Sequence, residues 1–343
     1  MKTIRESYKC GKGPAASQTR GPERAGQLFR RQYPQADAFR VILYGSLSKT
    51  GVGHGTDRVL RQVLSPLPTE IVFSQENLPD SHPNTLDFYA LKDGQELGYR
   101  RVESIGGGDI SIEGHPEVSG KDIYPENSFA EIADFCKWRY INRLSDYVLM
   151  NEGPEILDFL MEVWQTMKQT IADGLAATGT LPGGLGVQRK AKYLYEQELT
   201  TEVPQVRECR LICAYAYAVA EQNADNGTIV TAPTCGACGV LPAVLKYIQD
   251  TRNLTDQEIC RGLATAGIIG SLTKRNASIA SADSGSQAEI GTARSMAASA
   301  LPGLHGPNLD PVGTARPLAL AAHLGIPCPP LCHPVQTPFR HPP

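Results

Sequence analysis

The pattern of apolar residues changes after Pro125, and this change limits the fold more than any other feature of the chain. Before it, apolar residues fall in short runs rich in β-branched side chains. After it, behind Gly153 and Pro154, they recur at the spacing of a helix: Ile156, Leu160, Val163, Met167 and Ile171. The sequence therefore predicts an α+β domain over residues 1–145, followed by a mainly α-helical domain over residues 146–343.

Three segments of the first half have the composition of strands. Residues 39–47 and 69–73 are apolar and β-rich, and residues 86–90 lead into Asp93 and Gly94. An Asp-Gly pair between such runs is a strong signal for a tight β-hairpin turn. We therefore expect a hairpin at this turn.

Two segments of the second half show where helices begin and end. Residues 207–223 are rich in Ala and Tyr and end at the turn-forming residues 225–227. Thr255 and Glu258 have the spacing of a capping box, which predicts a helix from there through Ala266.

Two loops of small and polar residues lie at the ends of these predicted helices, over residues 230–242 and 276–291. Loops on a rigid scaffold often hold functional residues. Unpaired N–H groups at helix ends also suit an anion such as a substrate carboxylate. Three side chains suit either a hydrogen bond to that carboxylate or a helix cap: Thr234, Asn276 and Ser278.

The composition excludes several classes of protein. The 343 residues are 41% hydrophobic and 20% charged, which fits a globular protein with a sizeable core. The formal charge of −3 gives no basic footprint for nucleic acid, and no apolar run is long enough for a membrane span or a signal peptide. We expect a cytoplasmic protein that binds neither nucleic acid nor membrane.

The nine cysteines favour reduced thiols over a disulfide scaffold, because their number is odd and they are scattered. Five lie in apolar or helical surroundings and are expected to be packing residues: Cys10, Cys136, Cys209, Cys213 and Cys260. Four others have the spacing of a four-thiol zinc site: Cys235, Cys238, Cys328 and Cys332. Zinc is the weaker alternative, because the first pair lies in an apolar turn and the second among prolines.

Six ordered motifs together resemble one family over nearly the whole chain. Two are the loops described above, and the others lie in residues 11–22, 44–57, 104–108 and 181–191. The family is the iron-sulfur-dependent bacterial L-serine dehydratases, also called L-serine ammonia-lyases.

The resemblance implies the conversion of L-serine to pyruvate and ammonia, in amino-acid breakdown and gluconeogenesis. It implies a [4Fe-4S] cluster held by three cysteines, with the remaining iron acting as a Lewis acid on the substrate hydroxyl. It implies no pyridoxal phosphate. A homodimer is compatible with it, and L-threonine stays open as a second substrate.

The resemblance also assigns site residues. Catalytic roles fall on His54, Asp57, Asn276 and Ser278. Substrate contacts fall on Ser17, Thr19, Ser46, Gly106, Gly107, Thr234, Cys235 and Gly236. From the residues alone, His54 also fits a solvated loop histidine, and the glycines fit a turn that needs positive φ.

The chain departs from the family at the cluster. The three cysteine positions of the family fall at Ser286, Cys328 and Phe339, so a single ligand is kept although the spacing is intact. Near the N-terminus, Gln18 replaces the imidazole of a histidine in the family pattern.

The end of the chain departs as well. Prolines crowd a region that the family fills with helix, and the family sequence continues past residue 343, so we expect a truncated, poorly packed tail. These departures support an alternative function. In it the chain is an inactive homologue that binds serine or a partner, or a decayed gene product.

Overall fold

The computed structural model describes residues 1–13, 17–76, 78, 81–112, 122–182, 185–197, 201–279, 281–305, 309, 312–315 and 319. The strands are β1 (Lys9–Lys12), β2 (Ala38–Leu43), β3 (Thr69–Phe73), β4 (Thr85–Lys92), β5 (Gln95–Gly106), β6 (Asp109–Ile112) and β7 (Thr228–Thr231).

A short 3-10 helix at Ile4–Ser7 precedes the α-helices of the described residues. The α-helices are α1 (Arg20–Gln32), α2 (Gly45–His54), α3 (Thr56–Leu64), α4 (Phe129–Trp138), α5 (Leu144–Glu152), α6 (Ile156–Ala176), α7 (Ala191–Glu196), α8 (Pro204–Ala224), α9 (Val240–Arg252), α10 (Asp256–Asn276) and α11 (Ser281–His305).

Strands β2 to β6 form one mixed sheet in the order β3-β2-β4-β5-β6. Only β2 and β3 are parallel; the other neighbours are antiparallel. Phe29 of α1 and Leu60 of α3 are buried in one hydrophobic core with the apolar residues of the sheet, such as Phe39 and Phe88. The mixed sheet confirms the β-containing N-terminal region that the sequence predicts.

The predicted hairpin is confirmed, because β4 and β5 pair across Asp93 and Gly94, which both have positive φ. The predicted strand over residues 39–47 is too long. It ends at Leu43 because Gly45, with φ of 51°, turns the chain into α2.

The described second half is dominated by helices, as the sequence predicts. All five apolar residues at helical spacing from Ile156 to Ile171 are buried in α6. The capping box between Thr255 and Glu258 is confirmed at the start of α10. This helix continues past Ala266 to Asn276, because its apolar face continues through Ile268, Ile269 and Leu272.

The first residues of the chain pack with the helical region. Strand β1 pairs antiparallel with β7, so that Lys9 lies opposite Thr231. Ile4 and Tyr8 belong to the helical core, and the Tyr8 hydroxyl donates to the Leu263 carbonyl at 2.7 Å. Because α4 and α5 also pack in that core, the domain boundary near residue 145 stays a prediction.

The five cysteines expected to be packing residues differ in their exposure to solvent. Cys136 and Cys260 are buried, and burial raises their thiol pKa values to about 11 and about 12. Cys10 and Cys209 are exposed, so the prediction is wrong for both. Cys10 points outward because β1 alternates between half-buried and exposed residues. Cys213 is intermediate in exposure.

No helix in the described part of the chain is long and apolar enough to cross a membrane.

Candidate functional site

The loop that joins β7 to α9 is folded tightly against the helices around it. Thr234, Cys235 and Cys238 are buried, and the Cys238 N–H donates to the Cys235 carbonyl at 3.2 Å. A Cβ at Gly239 would lie 2.6 Å from the carbonyl oxygen of Ala216, so α8 fixes the end of this loop. The loop is therefore a rigid support for the side chains it carries.

Glu289 of α11 lies directly over this loop. Its Oε2 atom would be 2.4 Å from a Cβ at Gly236, so a side chain at position 236 would clash with the carboxylate. Desolvation raises the pKa of Glu289 to about 7, while the Thr234 hydroxyl opposes the shift. Both protonation states are then populated near neutral pH, which suits acid–base chemistry.

The Thr234 hydroxyl lies near this carboxylate. Its Oγ1 atom is buried and has no hydrogen-bond partner among the described residues. A buried hydroxyl without a partner costs free energy unless a ligand or water satisfies it. Thr234 is therefore a candidate contact for a polar ligand.

Arg20, the first residue of α1, brings a cation to the same loop. Its Nη1 donates to the Lys9 carbonyl at 2.7 Å and to Thr231 Oγ1 at 2.8 Å. Its Nη2 is buried without a hydrogen-bond partner in the described ranges. Thr231 Oγ1 lies 3.5 Å from Cys235 Sγ. A guanidinium with a spare donor is suited to a carboxylate. Arg20 also lines a groove of about 1330 Å³ that runs along α1.

The glycine turn after β5 comes close to both predicted loops. Gly107 has φ of 59°, and a Cβ there would lie 3.3 Å from the Pro233 carbonyl oxygen and 3.9 Å from Ile279 Cδ1. The Gly107 carbonyl accepts a hydrogen bond from Lys9 Nζ at 2.9 Å. Glycine is therefore needed here for its conformation, and the turn lies between the two loops.

A charge cluster holds this turn in place. Asp109 of β6 pairs with Lys9 at 2.5 Å, with Arg24 at 3.5 Å and with Lys274 of α10. Burial would raise the pKa of Asp109, but Lys9 and Lys274 outweigh it and lower that pKa below its usual value. The cluster joins β1, β6 and α10 beneath the site.

The residues around Gln18 tie the N-terminal segment to α2 and α3. Gln18 donates to Ser46 Oγ at 3.2 Å and accepts from the Thr50 hydroxyl at 2.7 Å. Thr56 donates to the Gln18 carbonyl at 2.6 Å, and Ser104 donates to the Ser17 carbonyl at 2.6 Å. Gln18 therefore has a structural role at the position of the family's histidine.

The structure places three of the four predicted catalytic residues at helix ends and the fourth in a loop. His54 ends α2, and Asp57 lies in the first turn of α3. Asn276 ends α10 and its amide donates to the carbonyls of Asn127 and Leu272 at 3.0 and 2.9 Å. Ser278 is exposed in the next loop. Their catalytic roles stay predictions.

The metal-ligand positions lie mostly outside the described residues, as Cys328, Cys332 and Phe339 do. Ser286 is described, immediately after a kink in α11 at Gly285, where φ is 71°. Within the described ranges no group of three His, Cys, Asp or Glu residues could hold a metal ion. Ser286 offers a hydroxyl where the family has a thiolate, and a hydroxyl is a poor ligand for iron in a cluster.

Of the predicted substrate contacts, the structure brings Gly107, Thr234, Cys235 and Gly236 together. Ser17 and Thr19 lie just before α1, and Ser46 lies in α2, where Gln18 contacts it. Sequence reasoning missed Glu289, Arg20 and Asp109. One feature of the sequence could have identified Glu289: it is the single carboxylate among the otherwise neutral residues 285–291. Its proximity to Gly236 depends on the tertiary fold.

Comparisons with known proteins point to one family. The sequence profile of the serine dehydratase alpha chain matches residues 90–338, and that of the serine dehydratase beta chain matches residues 3–65. An L-serine dehydratase of Haemophilus influenzae is 35% identical over 98% of this chain and 86% of its own length. L-serine dehydratase TdcG of Escherichia coli is 33% identical over 96% and 85%. An L-serine dehydratase of Streptomyces coelicolor is 30% identical over 98% and 86%.

Proposed function

Because this chain belongs to the iron-sulfur L-serine dehydratase family, a family of lyases, we propose that L-serine binds at the site formed by Gly107, Thr234 and Glu289. The reaction proposed for this site is the conversion of L-serine to pyruvate and ammonia. The observation that carries the proposal is the Glu289 carboxyl, which has a pKa of about 7 beside a buried hydroxyl. A cytoplasmic location is part of the same proposal.

The chemistry of the reaction fits these groups. Dehydration of serine needs a base for the Cα proton and assistance to the leaving hydroxyl. Glu289 exchanges a proton with the substrate, since both of its protonation states are accessible near neutral pH. Arg20 Nη2 binds the substrate carboxylate, and Thr234 hydrogen-bonds a polar group of the substrate.

The family's cluster does not fit the donor set of this chain. A [4Fe-4S] centre is held by cysteine thiolates, and it would supply the Lewis acid for the hydroxyl. Cys328 is the one thiol left at the three ligand positions, because Ser286 is a hard donor and Phe339 has no donor at all. Electrophilic assistance by such a cluster is therefore not expected here.

This mismatch supports a second candidate function, the binding of L-serine without turnover. The ligands of the cluster are replaced, whereas Thr234, Cys235 and Gly236 are kept in a formed loop. Anaerobic reconstitution with iron and sulfide, followed by an absorption spectrum and a pyruvate assay, separates the two candidates. A charge-transfer band with pyruvate formation supports dehydration, and a colourless folded protein that binds L-serine without forming pyruvate supports binding alone.

Thr234→Val is expected to weaken L-serine binding about fivefold, because one hydrogen bond in a desolvated site contributes about 1 kcal/mol. The change keeps the shape of the side chain and removes its hydroxyl. The measurement is titration calorimetry at constant pH. Thr251→Val is the matched control, since Thr251 lies exposed on α9 and bonds only to the helix backbone in the described structure. Equal affinities of the two variants would contradict the role of Thr234.

A further inference from the structure

Two cysteines lie one helical turn apart on α8, away from the proposed site. Cys209 is exposed and Cys213 is half-buried. Residues at this spacing lie on the same face of a helix, with Cβ atoms about 5–6 Å apart. The helix therefore presents two thiols side by side at the surface.

The Cys209 thiol also affects the Cys213 thiol. Burial raises the pKa of Cys213, and the neighbouring Cys209 thiol raises this pKa further. The side chains are therefore close in space and not only in sequence. The pair therefore offers two sulfur atoms within reach of one ligand atom.

A disulfide does not suit this pair. It needs Cβ atoms about 3.5–4.5 Å apart, which is shorter than the spacing within a regular helix. Helix α8 is packed closely against its neighbours further along. A Cβ at Gly174 would lie 2.2 Å from the Ala218 carbonyl oxygen, and one at Gly239 would lie 2.6 Å from that of Ala216. A disulfide would therefore require a distortion of α8, whereas a single atom that bridges the two sulfurs would not.

We propose that Cys209 and Cys213 form a two-thiolate site for a soft, thiophilic centre of the trivalent arsenic class. Soft centres prefer sulfur ligands. With phenylarsine oxide, two arsenic–sulfur bonds form and the arsenic–oxygen bond breaks. The oxygen leaves as water with the two thiol protons, and no oxidation state changes.

The other described cysteines differ from this pair. Cys10 is exposed, but its sulfur lies near the Thr166 hydroxyl, at 3.9 Å, and not near a second thiol. Cys235 and Cys238 are close in sequence, but both are at most 2% exposed. A bulky arsenical reaches the α8 pair more readily than it reaches the buried pair.

The test uses the full-length protein and phenylarsine oxide, with intact mass spectrometry after removal of free reagent in excess monothiol. Cys209→Ser and Cys213→Ser are each expected to carry one arsenical fewer than the unmodified sequence. Cys10→Ser is the matched control and is expected to lose none. A dithiol should release the adduct. Circular dichroism verifies that each variant is folded.

The adduct of the unmodified sequence is also expected to protect two thiols from alkylation. An unchanged number of adducts in Cys209→Ser or Cys213→Ser would overturn the proposal. Loss of an adduct in folded Cys10→Ser, or absence of any adduct in the unmodified sequence, would do the same.

Discussion

Glu289→Gln is expected to stabilise the fold by about 3 kcal/mol well above pH 7 and to leave its stability nearly unchanged below pH 4.5. The folded-state pKa of about 7 lies above the ordinary value of 4.5. The stability linked to this group is therefore fully present below pH 4.5 and is lost as the pH rises through 7. Glutamine never ionises, so it removes this loss.

The measurement is the free energy of unfolding in urea across this pH range. Glu196→Gln is the matched control, because Glu196 is exposed on α7 and pairs only with Lys192 in the described structure. Its pH profile should follow that of the unmodified sequence. Parallel profiles for Glu289→Gln and the unmodified sequence would show that the Glu289 carboxylate is not desolvated. The same substitution is expected to abolish any pyruvate formation, so that the fold gains stability and the site loses its proton-exchanging group.

Asp109→Ala is expected to destabilise the fold by about 3–5 kcal/mol, because it removes one partner of a partly buried charge cluster. Lys9 and Lys274 would remain with less compensation for their charge, and Arg24 would lose its ion pair. Since the folded-state pKa of Asp109 is lowered, its contribution is present above the ordinary carboxyl pKa. The contribution is lost as the pH falls through the lower, folded-state value.

The urea midpoint at neutral pH measures this effect. Glu70→Ala is the control, since Glu70 pairs with Arg40 at 2.6 Å but both side chains are about half exposed. That pair is worth less than about 1 kcal/mol. A loss for Asp109→Ala as small as that for Glu70→Ala would mean that the cluster is solvated and does not hold the Gly107 turn.

The elements that the sequence predicts well are those set by local rules. The apolar spacing of α6, the capping box of α10 and the hairpin turn at Gly94 each depend on residues within one or two turns of chain. The main local error was the strand expected to continue past Leu43. There, the positive φ of Gly45 overrides an apolar run.

The features that the sequence does not predict depend on distant partners. Lys9 and Asp109 are 100 residues apart, and Asp109 and Lys274 are 165 apart. The pairing of β1 with β7 joins the first residues to a strand in the helical half. No periodicity or motif encodes such contacts.

In the candidate site, too, some features follow from local sequence and others from distant contacts. The resemblance identifies the Thr234 loop and the Gly107 turn, because their small residues form ordered motifs. The role of Glu289 becomes visible only when α11 places its carboxylate over Gly236. Desolvation by the fold, and not the residue type, sets its pKa near 7.

Titration calorimetry with L-serine, and with D-serine under the same conditions, shows whether this site recognises L-serine. We expect saturable binding of L-serine and no measurable binding of D-serine, whether or not pyruvate forms. A folded protein that gives no binding signal with L-serine, or that binds both enantiomers equally, would contradict the proposal that this site recognises L-serine.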